Sequence, residues 1–97
     1  MTELTIKSDQ AEAVKSELES ALETQRRMIR DSIKRTKRNL EAFEKKYGFS
    51  TSELLQKETH GSLDDSNLEL IEWIGETRIL ERLQSELELL DDIRICS

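Results

Sequence analysis

The sequence predicts an all-α protein in which a long helix, a short helix and a second long helix form an antiparallel hairpin. Three observations support this fold class. The 97 residues include no proline and only three glycines, so few positions interrupt a helix. Charged residues make up 37% of the chain, as expected for helices with solvated faces. Apolar residues recur with an 11-residue period, which is typical of straight helices.

The length predicts a single helical domain over 1–97, because a chain of this size forms one domain at most. So small a domain lies near the margin of stability, and we therefore expect a partner or self-association. The predicted parts are an arm, three helices and a tail, which occupy residues 1–7, 8–48, 50–60, 65–91 and 92–97.

Both ends of the chain alternate apolar and polar residues, through Leu4 and Ile6 at one end and Ile93 and Ile95 at the other. Short strands have this pattern. Such strands could pair with each other, with a dimer mate or with the sheet edge of another protein. Frayed tails fit the pattern equally well, because terminal segments are commonly disordered.

The first long helix is predicted to begin at Ser8 or Asp9, where Asp9 and Glu12 have the spacing of a capping box. Its apolar and neutral positions form one straight stripe that closes at Tyr47. The stripe consists of Ala11, Val14, Leu18, Leu22, Gln25, Ile29, Ile33, Thr36 and Leu40. A stripe of this length predicts a helix of about 39 residues, or roughly 58 Å.

The stretch KKYGFSTSELLQK predicts a corner between the first two helices. Gly48 suits the left-handed residue that ends a helix. Ser50 and Glu53 have the spacing of a second capping box, and Phe49 and Leu54 stand where a hydrophobic staple places its two side chains. The short helix that follows is expected to end before the next glycine.

The third helix is expected to begin after the cap-forming residues Asp64, Asp65 and Ser66, and it carries two apolar stripes. One stripe is Leu70, Trp73, Thr77, Leu80 and Leu87, and the other is Leu68, Ile71, Gly75, Ile79, Leu83 and Leu90. A helix that is apolar on two sides needs two neighbours. Gly75 weakens the helix interior by about 1 kcal/mol relative to alanine, which favours a close approach there by another backbone or an aromatic ring.

The third helix covers only about two thirds of the first one at 1.5 Å per residue, so the first turns of the first helix should project beyond it. We expect a second copy of the chain or a partner protein to cover this overhang and the second stripe of helix three. A homodimer that forms a helical bundle is the simplest version. The predicted interface residues are Ala11, Val14, Leu18, Leu22, Ile71, Gly75 and Ile79.

Charge is distributed unevenly although the whole chain carries −6. Residues 26–46 contain nine basic and three acidic residues, whereas residues 58–97 contain eleven acidic and three basic ones. One interpretation is a solvated face with ion pairs between the helices. The other is a basic strip that contacts nucleic-acid phosphates, formed by Arg26, Arg27, Arg30, Lys34, Lys37 and Arg38.

Catalytic and cofactor motifs are not found in the sequence. The single histidine, His60, has no nucleophile motif around it, and Cys96 is the single cysteine. The acidic loop around His60 lacks the calcium-loop pattern, so we expect its carboxylates to cap helices rather than bind metal. We therefore expect neither an enzyme nor a cofactor.

Membrane association is not expected from the sequence either. No apolar run approaches the roughly 18 residues that a membrane span needs. The N-terminus lacks the basic and apolar regions of a signal peptide. These observations favour a cytoplasmic protein.

The segments KKYGFSTSELL and GSLDDSNLELIEW resemble a family of small all-helical prokaryotic proteins. Members carry a Lys-Tyr-Gly-Met/Phe-Ser/Thr corner, a Gly-x-Leu step, acidic caps and a Glu-Trp pair on the last helix. The matching residues are Lys46, Tyr47, Gly48, Phe49, Ser50, Glu53, Leu54, Leu55, Gly61, Leu63, Asp65, Glu72 and Trp73. Such proteins are often encoded beside a small toxin-like partner and treated as antitoxins. The resemblance implies the helical fold and a cognate toxin-like partner.

Function is therefore predicted to be non-enzymatic binding of a cognate protein, of antitoxin or adaptor type. The surplus apolar helix faces and the acidic charge would form the contact. Two alternatives stay open. One is nucleic-acid binding through the basic strip, and the other is a purely structural coiled-coil homodimer.

Overall fold

The computed structural model describes residues 2–5, 10–64 and 66–96. Its elements are β1 (Thr2–Thr5), α1 (Ala11–Tyr47), α2 (Thr51–Thr59), α3 (Leu68–Asp91) and β2 (Ile93–Cys96). The order of a long, a short and a long helix confirms the predicted helical architecture. Predictions that concern Ile6, Ser8, Asp9 and Asp65 lie outside the described residues.

Contacts within the chain group into two compact units. The corner unit is Ile33–Arg82, and the terminal unit combines Met1–Ser32 with Leu83–Ser97. The corner unit contains the end of α1, all of α2 and the start of α3. The terminal unit contains the two strands, the start of α1 and the end of α3. Each unit has its own packing.

The turn between α1 and α2 forms largely as its local sequence predicts. Gly48 has a φ of 76°, in the left-handed region that glycine adopts without strain, and its N–H donates to the Glu44 carbonyl at 2.9 Å. Ser50 is the N-cap of α2, and its Oγ accepts a hydrogen bond from the Glu53 N–H at 3.2 Å. The turn and the first half of the capping box are thereby confirmed.

The second half of the predicted capping box differs from expectation. The Glu53 carboxylate lies 3.4 Å from the Ser50 hydroxyl, which donates to it. The carboxylate of Glu44, on the last turns of α1, accepts from the Thr51 N–H at 2.7 Å. A residue from the preceding helix thus satisfies one of the free donors at the start of α2.

The core of the corner unit is built on Trp73 and Leu54, whose side chains are completely buried. The Trp73 ring is stacked between Phe43, at 5.6 Å between ring centroids, and Phe49, at 5.2 Å. The Tyr47 ring is tilted relative to the Trp73 ring, and the two ring centroids are 5.8 Å apart. Phe49 and Leu54 belong to this same packed cluster, as the staple predicts. Leu40, Leu70 and Ile74 complete its buried part.

Within the corner unit, α1 and α3 pack antiparallel. Asn39 donates to the Glu76 carboxylate at 3.3 Å, and Lys46 reaches the Glu69 carboxylate at 2.6 Å. Residue numbers that rise along α1 pair with numbers that fall along α3, so the two helix segments run in opposite directions. The predicted pairing of the two long helices is confirmed here.

The start of α3 uses a different cap from those predicted. Asn67 is the residue before the helix, and its Oδ1 accepts from the Glu69 N–H at 3.0 Å. Asp64 instead closes the preceding turn, where it accepts from the N–H of Ser66 at 3.1 Å and from its hydroxyl at 2.6 Å. These hydrogen bonds hold the pKa of Asp64 below its ordinary value.

In the terminal unit, β1 and β2 form a parallel two-stranded sheet. Leu4 lies opposite Ile95 in the register. Of the alternatives for the two chain ends, the structure therefore has strands that pair with each other. Elsewhere in this unit, the Arg26 Nη2 donates to the Leu90 carbonyl at 2.7 Å, which joins α1 to the end of α3.

Candidate interaction surfaces

The outward face of α3 in the corner unit carries an exposed apolar stripe. Leu68 is 77% exposed, Ile71 46% and Ile79 45%. With Gly75, these residues are spaced by three or four positions, so they share one side of the helix. The opposite side, which includes Leu70, Trp73 and Thr77, is buried. We call Leu68, Ile71, Gly75 and Ile79 the α3 stripe.

A shallow depression lies beside the α3 stripe. Its apolar lining comes from Leu63, Ile71, Ile74 and Gly75, and its rim includes Glu58 and Arg78. The Arg78 Nη2 donates to both Glu58 carboxylate oxygens at 3.1 and 3.2 Å. This pair ties α3 to the last turn of α2 along one border of the depression.

The surroundings of Gly75 differ from the sequence-based expectation. A Cβ atom added there would meet no atom of the chain within 4 Å, apart from the helix's own nearby backbone. Neither a backbone nor an aromatic ring of the described residues therefore approaches this glycine. The space beside it is open to a group from another molecule.

A polar network anchors the beginning of α3 to α1. Lys46 Nζ lies 2.6 Å from each oxygen of the Glu69 carboxylate, and the Tyr47 hydroxyl donates to the same carboxylate at 3.2 Å. The hydrogen bond between the two charged groups is the main cause of a lowered pKa for Glu69 and a raised pKa for Lys46. The network fixes the end of α3 from which the stripe begins.

The predicted interface residues of α1 lie in the terminal unit. Val14 and Leu18 are exposed, whereas Ala11 and Leu22 are half-buried. The last turn of α3 contacts α1 at Arg26, so these four residues precede the part of α1 that α3 covers. This surface is less open than the α3 stripe.

The six residues of the predicted basic strip have different surroundings. In the terminal unit, Arg26 and Arg30 are ion-paired with Glu23 and Asp91, and Arg27 contacts the Thr24 hydroxyl at 3.4 Å. The remaining three, in the corner unit, are Lys34, Lys37 and Arg38. They are exposed, and no described carboxylate forms an ion pair with them. Of the six, these three and Arg27 are therefore the exposed side chains that form no ion pair with a described carboxylate.

Two further kinds of site, a metal-ligand cluster and a membrane-spanning helix, are absent from the described part of the chain. No group of three or more His, Cys, Asp or Glu side chains within it could hold a metal ion. No helix within it has the length and apolar character to cross a bilayer. In the acidic loop, Glu58 is paired with Arg78 and Asp64 with Ser66.

Two features were not found from the sequence. Met28 and Leu89 are large, exposed apolar side chains of the terminal unit, and neither lies on a predicted stripe. Arg26 contacts a backbone carbonyl 64 positions away, which no local spacing indicates.

Comparison of the chain with protein-family models, with curated proteins and with solved structures finds no match.

Proposed function

We propose that this protein is a non-enzymatic interaction module that binds a partner protein through the α3 stripe. The observation that carries the proposal is the exposure of Leu68, Ile71 and Ile79 around an open glycine. Isolated exposed apolar residues are common, but contiguous ones mark interaction sites. Here they share one helix face, and Ile71, together with Gly75, lines a depression with an apolar lining.

The energetics favour an occupied stripe. Burying one fully exposed large aliphatic side chain contributes about 1.5 to 3 kcal/mol. Leu68, Ile71 and Ile79 have 77%, 46% and 45% of their surface left to bury, so each supplies a corresponding share of that value. Gly75 costs the helix about 1 kcal/mol relative to alanine. A partner side chain or helix that packs against the open glycine offsets that cost. An amphipathic helix laid along the stripe is the binding mode that this geometry fits.

The antitoxin or adaptor class is supported by the resemblance of the corner and Glu-Trp segments to small helical proteins encoded beside toxin-like partners. The residues that carry the resemblance, such as Tyr47, Gly48 and Trp73, build the corner unit. They support the scaffold rather than the identity of the partner. The acidic excess of residues 58–97 favours a partner with a basic surface.

Co-expression with the product of the adjacent gene, followed by affinity capture, tests the proposal. The variants Ile71→Ser and Ile79→Ser remove apolar contact without touching the buried side of α3. Leu89→Ser is the matched control, because Leu89 is also an exposed aliphatic residue of α3 but lies outside the stripe. We expect capture to fall at least tenfold for the stripe variants and to persist for the control. Equal capture by all three variants would contradict the proposal.

Self-association is distinguished by sedimentation equilibrium of the isolated protein at micromolar concentration. A homodimer that buries the α3 stripe would dissociate in Ile79→Ser and remain in Leu89→Ser. A monomer that still captures its partner leaves the interaction module as the function. A dimer unaffected by Ile79→Ser would assign the coiled-coil role to a different surface.

Nucleic-acid binding is the second candidate, and it is favoured by the exposed Lys34, Lys37 and Arg38, which form no ion pair with a described carboxylate. Fluorescence anisotropy with labelled 20-nucleotide RNA and DNA at 50 and 200 mM salt tests it. Phosphate contacts would give a steep salt dependence that Lys34→Gln and Lys37→Gln reduce, with Lys15→Gln as the control. Equal, salt-insensitive signals for all variants would exclude this use of the strip.

A further inference from the structure

The end of α3 is tied to α1 by one side chain. Arg26 Nη2 donates to the Leu90 carbonyl at 2.7 Å, and its Nε lies 3.4 Å from Asp91 Oδ1. Leu90 and Asp91 are the last two residues of α3. The last carbonyls of a helix have no partner within the helix, and a cation there also complements the helix dipole.

Arg26 is largely withdrawn from water, with 17% of its side chain exposed. Its Nε is buried and has no hydrogen-bond partner among the described residues. A buried guanidinium needs nearby negative charge, because desolvation without compensation is costly. Glu23, at 3.5 Å from Nη1, and Asp91 supply that charge.

Arg30 completes a four-membered cluster. It lies 3.6 Å from Glu23 and 3.7 Å from Asp91, so both carboxylates are shared by the two arginines. Its side chain and both carboxylates are about half exposed. Salt therefore screens these outer contacts more strongly than the inner hydrogen bond of Arg26.

The cluster stands directly before β2, which begins at Ile93. β1 and β2 have four residues each, and among the described residues they form a sheet of two strands. An isolated two-stranded sheet is marginally stable in water. The position at which α3 ends determines where β2 begins, so the anchoring of Leu90 and Asp91 bears directly on the strand pairing.

We infer that Arg26, Arg30, Glu23 and Asp91 form an ionic latch that holds β2 in register with β1 and opens as ionic strength rises. Arg26 is the positioning residue, and Arg30 and the carboxylates balance its charge. Opening frees β2 and the last turn of α3 while the aromatic cluster of the corner unit stays packed. The latch needs no partner, so it is independent of the proposed binding function.

Hydrogen–deuterium exchange of the full chain tests the latch. Exchange of amides 90–96 and 2–5 is followed at 20 and 500 mM sodium chloride, with amides 52–56 and 72–76 as the internal reference. In the unsubstituted protein, we expect the first group to exchange several-fold faster at high salt and the reference group to be unchanged. An equal response of both groups would contradict a local latch.

Three variants sharpen the test. Arg26→Gln should accelerate exchange of amides 90–96 and 2–5 at low salt by roughly tenfold or more, as expected for loss of a hydrogen bond from a charged donor. It should also remove most of their salt dependence. Asp91→Asn, which leaves the bond to the Leu90 carbonyl in place, should have a smaller effect. Arg27→Gln is the matched control, because Arg27 is exposed and its hydrogen bond among the described residues is to Thr24, one turn before it.

The outcomes separate a latch from general destabilisation. If Arg26→Gln and Arg27→Gln give the same exchange of amides 90–96, Arg26 does not position β2. If Arg26→Gln accelerates exchange in the reference group to the same extent, the arginine supports the whole fold and the latch is wrong. Selective acceleration that follows the order Arg26→Gln, Asp91→Asn, Arg27→Gln supports the proposal.

Discussion

The corner unit and the terminal unit differ in the side-chain contacts that stabilise each of them. All four aromatic residues of the chain lie in the corner unit and contact one another around the completely buried Trp73. In the described part of the terminal unit, the polar side-chain contacts between α1 and α3 are those of Arg26 and Arg30 with α3's last two residues, and Ile29 is the one large apolar side chain that is buried there. Apolar packing is insensitive to salt, whereas exposed ion pairs are screened by it. The two units should therefore respond to different perturbations.

The two units also differ in the kind of surface that each one presents. The corner unit fixes α3 by burying its inner face, and it presents the α3 stripe on a rigid helix. Sites on rigid elements hold their geometry better than sites on loops. The terminal unit offers a short sheet whose pairing depends on a polar anchor. The packing of the corner unit therefore suits a partner-binding surface, and that of the terminal unit suits a responsive element.

The largest loss of stability is expected from Trp73→Ala, which removes the central ring of the aromatic cluster in the corner unit. Removing a buried aromatic side chain costs about 3 to 5 kcal/mol, and it leaves Thr51 Oγ1 without the hydrogen bond that Trp73 Nε1 donates at 3.0 Å. Urea unfolding followed by far-ultraviolet circular dichroism measures the loss. Leu68→Ala, at an aliphatic position that is 77% exposed, is the control and should change stability by less than about 0.5 kcal/mol. Similar losses for the two variants would show that Trp73 does not organise the core.

Gly48→Ala should produce the next largest effect. With a φ of 76°, an alanine at this position is strained by roughly 1 to 2 kcal/mol, although no atom would touch its Cβ within 4 Å. The cost is therefore purely conformational. Thermal unfolding compared with Gly48→Asn separates this cause from packing, because asparagine tolerates the left-handed region better than alanine. A Gly48→Ala protein as stable as the unsubstituted one would refute the conformational explanation.

Gly75→Ala should act in the opposite direction. Gly75 lies inside α3 without a left-handed backbone, and an added Cβ meets open space. Alanine should therefore stabilise the isolated protein by up to about 1 kcal/mol. If the α3 stripe is the partner site, the same variant should weaken capture of the partner. Gain of stability with unchanged partner binding would place the contact away from Gly75.

The sequence predicts the corner well because its determinants are local. Gly48 and Ser50 act on residues within a few positions, Gly48 as the left-handed residue that ends α1 and Ser50 as the N-cap of α2. The start of α3 is harder, since several consecutive residues can cap a helix and only the backbone geometry selects Asn67. The role of Arg26 cannot be predicted from a local sequence pattern, because its hydrogen-bond acceptor, the Leu90 carbonyl, is 64 positions away. From sequence alone it belongs with the other arginines of a basic strip.

The α3 stripe was partly predictable for a related reason. Two apolar faces on one helix can be read from spacing, and Ile71 and Ile79 are exposed as that reading requires. Which of the two faces is buried depends on the aromatic cluster, a tertiary contact between three elements. The open space beside Gly75 likewise depends on how the unit packs. It could not be predicted, because a sequence pattern does not indicate how far a neighbouring element extends.

The smallest effect concerns the Lys46–Glu69 pair and pH. The pKa of Glu69 is lowered in the folded protein, chiefly by the hydrogen bond from Lys46, so the pair's contribution is present above the ordinary carboxyl pKa. It is lost as pH falls through the lowered value. The pKa of Lys46 is raised, chiefly by the same hydrogen bond, so at the alkaline end the contribution is lost only as pH rises through that raised value. Between these limits the pair's contribution is constant, so the pair should cause no change of stability with pH.

Both side chains are substantially exposed to solvent, so the pair contributes little to the free energy of unfolding. The test therefore relies on comparison with a matched variant. Urea midpoints measured from pH 3 to 7 should show a shallower acid dependence for Glu69→Gln than for the unsubstituted protein. Glu72→Gln, which removes an exposed carboxylate with no described ion-pair partner on the same helix, should retain the full acid dependence. Identical profiles for the two variants would show that the acid response reflects total charge rather than the anchoring of α3 to α1. A selective change at Glu69 would show that the corner unit, although dominated by aromatic packing, also has a small ionic contribution where α3 begins.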